Sequence, residues 1–81
     1  MTVQVRFFAM LRDATGTDAC ALTLEAPARG VDAKAALVAR YPRLRGLLDA
    51  TRLAVNREYR TWDAPLGDGD EVALIPPVSG G

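Results

Sequence analysis

Few residues in this chain could do chemistry. There is no histidine and only one cysteine, Cys20. A Ser-His-Asp or Cys-His device needs an imidazole to take a proton, so that class of transferase or hydrolase is closed. Zinc and the transition metals lose their usual nitrogen and sulfur ligands. No Gly-rich phosphate cradle is present, so the chain does not activate a nucleotide by itself. Cys20 shares an alternating apolar pattern with Leu22 and Leu24. A reactive thiol favours an electropositive, partly exposed site, so Cys20 reads as a buried spectator. What remains is the end of the chain, Pro76-Pro77-Val78-Ser79-Gly80-Gly81. Two prolines stiffen the exit in an extended form. Six extended residues reach about 20 Å. Gly80 and Gly81 would let the backbone thread a channel where any β-carbon would clash. The last group is a carboxylate next to a carbon with no substituent, open to a nucleophile from both sides. A carboxylate is a poor electrophile, so work at Gly81 calls for an ATP-dependent enzyme that makes an acyl-adenylate. This chain would be that enzyme's substrate.

The composition says what can carry such a tail. Eighty-one residues with zero net charge and 49% apolar types describe one ordinary globular domain. At this size roughly 60% of the unfolded surface can be buried, enough for one thin core. One cysteine permits no disulfide within the chain, which fits a reducing compartment. No apolar run approaches the roughly 20 residues needed to span a bilayer. Met1 to Leu11 is interrupted by Arg6 and lacks a signal-peptide layout. A cytoplasmic location is the expectation, with no membrane partner. Balanced charge also argues against a nucleic-acid partner. The zero hides an asymmetry, however. Residues 1 to 60 hold all ten basic groups and six acids, a balance of +4. Asp63, Asp68, Asp70 and Glu71 give the remainder −4. That run reads as a solvated turn, and Arg40, Arg43 and Arg45 read as a solvated helix end.

The elements that position the tail follow from periodicity. Val3, Val5 and Phe7 alternate with Thr2, Gln4 and Arg6 as in a half-buried strand. Phe8 then falls on the non-core face. Ala9 to Thr15 predicts a short helix with Met10, Leu11 and Ala14 inward, stopped by Gly16. Ala19 to Glu25 predicts a second strand, ended by Pro27. Val31 to Tyr41 is the main helix, with Val31, Ala35, Val38 and Leu37/Tyr41 as its apolar side and Gly30 as N-cap. Pro42 to Leu48 reads as a turn or short helix carrying Leu44, Leu47 and Leu48 inward. Arg52 to Val55 is a short strand, Asn56-Arg57-Glu58 a turn, and Tyr59 to Trp62 a strand pairing back. Pro65 to Asp70 is dense turn chemistry. Glu71 to Ile75 is the last strand, with Val72 and Leu74 on one face and Ala73 and Ile75 on the other. This order predicts an α+β fold of the β-grasp type, a mixed sheet of about five strands with the helix across one face. Residues 1 to 75 form the domain and 76 to 81 a flexible extended tail. Gln4, Arg6, Phe8, Ala73 and Ile75 occupy the open face, and its two large apolar residues suggest a contact patch.

With these elements in place, the chain resembles the MoaD family, the ubiquitin-like sulfur carriers that form the small subunit of molybdopterin synthase. Asp68-Gly69-Asp70-Glu71-Val72-Ala73 followed by Ile75 to Gly81 carries the resemblance most specifically, with Phe7-Phe8-Ala9, Leu11-Arg12 and Leu53-Ala54-Val55-Asn56 in support. Ile75 stands where the family often has a larger aromatic residue. The resemblance implies that a MoeB-type enzyme adenylates Gly81 with ATP, and that a cysteine desulfurase or rhodanese supplies sulfur. Gly81 would then carry a thiocarboxylate. It also implies that the tail enters a MoaE-type large subunit and donates sulfur to precursor Z, making the dithiolene of molybdopterin. No cofactor is implied on the chain itself, which would not be catalytic alone. The family's contact surface maps onto Phe8, Tyr59, Ile75, Pro76, Pro77, Val78 and Ser79, with Arg12 nearby. Three other readings stay open at this point. The chain could be a sulfur carrier for thiamine or cysteine synthesis, a protein modifier joined through Gly81 to lysines, or a passive β-grasp module.

Overall fold

In the first strand, β1 (Thr2–Phe7), Val3, Val5 and Phe7 are almost fully buried while Gln4 and Arg6 are exposed. The structure is a computed structural model that describes residues 1–77; Val78, Ser79, Gly80 and Gly81 lie outside the described residues. The chain continues through α1 (Met10–Thr15), β2 (Ala19–Thr23), β3 (Ala28–Arg29) and α2 (Gly30–Arg40). Two 3-10 turns, Pro42–Leu44 and Leu48–Ala50, lead to β4 (Arg52–Val55), β5 (Glu58–Arg60), β6 (Pro65–Leu66) and β7 (Glu71–Ile75). Five strands form one mixed sheet in the order β2-β1-β7-β4-β5. β1 and β7 run parallel in adjacent positions, and the other pairs are antiparallel. The core lies between this sheet and α2, built from Val3, Val5, Phe7, Leu22, Leu37, Leu44, Leu48, Leu53, Val72 and Leu74 among others. This is the expected β-grasp, ubiquitin-like fold.

Three local expectations need correction. The helix α2 buries Gly30, Ala33 and Leu37, whereas Val31 and Ala35 face solvent. Gly30 sets this rotation. A β-carbon there would lie 2.6 Å from the Trp62 carbonyl oxygen and 2.8 Å from Leu53 Cδ2. The bare Cα therefore faces the core, and its neighbour Val31, about 100° further round the helix, cannot. Gly30 is also the first helical residue rather than the cap. Arg29 is the N-cap, and its backbone N–H donates to Asp32 Oδ2 at 2.8 Å. The amides of Gly30 and Val31 donate to the carbonyls of Ala64 and Trp62, so the start of the helix is tied to a distant loop.

The second correction is that Pro65-Leu66 is not only turn. It pairs with Ala28-Arg29 as a separate two-stranded ribbon, and two-residue strands leave no periodicity to read. The third concerns the hairpin after β4. Only Asn56 and Arg57 form its turn, both with positive φ (51° and 70°), which matches the twist a two-residue hairpin requires. Glu58 already pairs with Val55, and the returning strand ends at Arg60, short of the expected Trp62. Trp62 instead sends its indole N–H toward the Thr51 carbonyl at 3.3 Å.

Replacing Gly30 with alanine tests the helix placement. The variant should lose about 1–3 kcal/mol of stability through overpacking, read as a lower urea midpoint at unchanged slope. An unchanged midpoint would mean that this close approach does not set the helix rotation.

Candidate functional site

The parallel pairing of β1 with β7 brings Arg6 opposite Ala73 and Phe7 opposite Leu74. Along these strands the odd residues of β1 and the even residues of β7 go to the core. Phe8 and Ile75, one residue further on each strand, therefore both take the open face. β4 then pairs with β7 so that Ala54 lies opposite Ala73, and β5 places Tyr59 opposite Ala54. One row across the open face thus reads Arg6, Ala73, Ala54, Tyr59. Two adjacent alanines leave a floor with no bulk. Phe8, Tyr59 and Ile75 stand around it, and the result is an apolar groove of about 770 Å³.

Local geometry at the first turn completes the wall. Ala9 takes a positive φ of 50° immediately before α1. The amides of Leu11 and Arg12 donate to the carbonyls of Phe8 and Ala9. Leu11 is fully buried beneath the turn, and Met10, one position earlier on the helix, is left facing the groove. Phe8 is 43% exposed, Met10 38% and Tyr59 65%. These are three of the four large exposed apolar side chains among the described residues, and all three line the groove. Such clustering is what apolar contact surfaces share, where scattered exposed apolar residues would mean little. Glu71 and Arg57 add one acid and one base to the lining. The Arg52 guanidinium lies over the Tyr59 ring, 5.7 Å from its centre.

The groove also meets the exit of the chain. β7 ends at Ile75, and Ile75, Pro76 and Pro77 all line the groove. Phe8, Tyr59, Ile75, Pro76 and Pro77, singled out in the sequence, are therefore brought together. Arg12 is not. It is exposed on α1 outside the groove lining, because two residues turn a helix by about 200° from Met10. The expectation that Met10 joins Leu11 and Ala14 inside is corrected too, since Met10 faces outward, while Ala14, half-buried, does pack against the core. Met10, Ala54 and Arg57 were missed in the sequence. The signal for Ala54 was available, for it sits between the inward Leu53 and Val55 of a strand.

The remaining candidates resolve into ordinary structure. Cys20 is half-buried against the core. Tyr41 packs edge-on to Phe7 with ring centroids 5.7 Å apart. Burial, with the Cys20 thiol beside it, pushes the Tyr41 phenol above its ordinary value of 10.0. The acidic run bonds to its own turn. Asp70 accepts from the Gly67 amide at 2.7 Å and from Asn56 Nδ2 at 3.0 Å, and Asp68 accepts from the Thr2 amide at 2.8 Å. Asn56 Oδ1 accepts in turn from the Glu71 amide, fixing the hairpin to the start of β7. Arg40 donates to the Ala21 carbonyl. Among the described residues, no group of acids and cysteine is arranged to hold a metal ion, and no helix is long and apolar enough to cross a membrane.

Fold and groove together define a ubiquitin-like β-grasp domain with an exposed apolar face beside its carboxyl-terminal strand. The ThiS family model matches residues 5–81, and the chain belongs to that family. Among similar proteins is the molybdopterin synthase sulfur carrier subunit of Escherichia coli, 40% identical over 98% of this chain and 99% of that one. The crystal structure of SAMP1 from Haloferax volcanii superposes with a TM-score of 0.92 at 29% identity, covering both chains completely. A complex of subunits 1 and 2 of the molybdopterin-converting factor from Helicobacter pylori matches with a TM-score of 0.71 at 27% identity, again over the whole of both chains.

Phe7 and Phe8 give a direct test of the two faces. Phe7→Ala should cost about 3–5 kcal/mol in urea unfolding, as a cavity in the core does. Phe8→Ala should change stability by no more than about 0.5 kcal/mol. Equal losses would mean that Phe8 belongs to the core rather than to an exposed face.

Proposed function

We propose that this protein is the sulfur carrier subunit of a molybdopterin synthase. The observation that carries the reading is that Ile75, Pro76 and Pro77 both line the apolar groove and lead into the final four residues. A partner that covers the groove is thereby set beside the start of the tail, four residues before Gly81. The family match extends to Gly81. The E. coli relative bears the name of such a subunit, and the H. pylori neighbour was solved with its second subunit.

The mechanism divides the work between chains. A MoeB-type enzyme uses ATP to convert the Gly81 carboxylate into an acyl-adenylate, which makes the carbonyl carbon electrophilic. A persulfide sulfur supplied by a cysteine desulfurase or rhodanese attacks that carbon and AMP leaves, giving an acyl disulfide. A thiol then attacks the donor enzyme's sulfur, the S–S bond breaks, the Gly81 thiocarboxylate leaves, and the two thiols remain joined as a disulfide. Gly80 and Gly81 keep the approach free of side chains. The domain then seats its groove on a MoaE-type large subunit, where the thiocarboxylate donates sulfur to precursor Z. Phe8, Tyr59 and Ile75 act as a handle of the kind that anchors protein interfaces, apolar side chains around a shallow centre. The large subunit's pocket supplies the catalytic groups this chain lacks.

The resemblance to SAMP1, a small archaeal modifier protein, supports a second reading, in which activated Gly81 is joined to a target lysine. Activation is common to both. Intact mass after incubation with a MoeB-type enzyme, ATP and a sulfur donor separates them. The carrier reading expects one terminal oxygen to be replaced by sulfur, with loss of that product when Gly81 is deleted and no change in the urea midpoint. Loading of the Gly81-deleted chain, or adducts to other proteins in place of the sulfur product, would contradict it. Phe8→Ala should weaken binding to the large subunit by roughly ten-fold or more, about 1.4 kcal/mol, measured by calorimetry.

A further inference from the structure

The cations of this chain have an unusual division. Ten basic side chains comprise nine arginines and a single lysine, Lys34. All nine arginines are exposed, and Lys34 is only half-exposed. Its Nζ lies 3.2 Å from Asp49 Oδ1, reaching from α2 to the second 3-10 turn, and 5.4 Å from the centre of the Trp62 ring. It sits on the helix that covers one face of the sheet, whereas the groove and the chain exit lie on the other.

We propose that this surface is closed as an acceptor for its own activated terminus, so that the carrier is not consumed by joining to itself. This rests on the reading of Gly81 as an acylating group. A lysine attack on the Gly81 adenylate would form a C–N bond, break the C–O bond to phosphate and release AMP, with protons passing to solvent. The product is a dead isopeptide. Guanidinium groups do not compete, because they stay protonated and offer no lone pair for attack. The many exposed cations that keep the protein soluble are therefore chemically silent toward an acyl-adenylate. Two amines could react: the Lys34 side chain must first leave a carboxylate and an aromatic face, and the Met1 ammonium must first release the Leu24 carbonyl, to which it donates at 2.9 Å. Exposed contacts of this kind are individually weak, so the count of one lysine matters as much as its restraint.

Acetyl adenylate serves as a small acyl donor to test this on the full folded chain, with acetylation located by peptide mapping. Lys34 should react at least about five-fold more slowly than a lysine placed at an exposed arginine position in Arg43→Lys. Asp49→Ala should raise the Lys34 rate to within about two-fold of that reference. Equal rates in the first comparison, or no response to Asp49→Ala, would overturn the proposal. A second arm uses a MoeB-type enzyme and ATP without a sulfur donor. The native chain should give no carrier–carrier conjugate, and the Arg43→Lys/Arg45→Lys variant should give one. Conjugates of the native chain through Lys34 would overturn the proposal. If no ATP–pyrophosphate exchange occurs at all, the reading of Gly81 is what fails, and the acetyl adenylate result still decides whether Lys34 is restrained.

Discussion

The parallel pairing of β1 with β7 is the constraint on which the rest of the structure depends. Its register, Gln4 with Glu71 through Phe7 with Leu74, joins the two ends of the fold at the centre of the sheet. Because side chains alternate along both strands, this single register assigns Val5, Phe7, Val72 and Leu74 to the core. It also assigns Phe8 and Ile75 to the opposite face. A slip of one residue would invert both sets. The acidic turn guards the register: Asp68 takes the Thr2 amide, Gln4 donates to the Asp70 carbonyl, and the Gly69 amide donates to Thr2. What looks in the sequence like a charged surface stretch is largely the clamp that starts β7 beside β1.

That clamp gives the groove its character. A parallel central pair needs a long crossover between its strands, and here the crossover contains α2, which covers one face. Among the described residues no element covers the other face, and its centre is occupied by Ala54 and Ala73 rather than by larger residues. The sheet thus offers a shallow apolar seat whose walls come from three separate segments: the end of β1, the β4–β5 hairpin and the exit from β7. Each wall is fixed by a backbone device, namely the positive φ at Ala9, the two-residue turn at Asn56-Arg57 and the prolines after Ile75.

Much of this was legible in the sequence. Strand parity alone placed Phe8 and Ile75 on the open face, and the Asp-Gly-Asp turn and the Pro-Pro exit were visible as written. The rotation of α2 was not, because it is decided by the approach of the Trp62 carbonyl to Gly30, a contact between residues 32 positions apart. Periodicity found Leu37, Val38 and Tyr41 but could not choose Gly30 and Ala33 over Val31 and Ala35, since small and apolar residues occur all round the helix. The β3–β6 ribbon was too short to leave a pattern. Met10 was missed for a related reason: a six-residue helix has no preferred face until the turn before it is known. Glycine and alanine, too small to fix a buried face by pattern, prove to be the residues that shape both the helix seat and the groove floor.

The central claim is that the groove, and not the helical face, receives the large subunit. Amide chemical shifts of the full-length chain, followed during titration with a MoaE-type large subunit, test it most directly. The account expects the largest changes at Phe8, Ala9, Met10, Ala54, Tyr59, Ala73 and Ile75, with Ala35 and Ala39 on α2 unmoved. Changes concentrated on α2, with the groove residues unmoved at saturation, would contradict it.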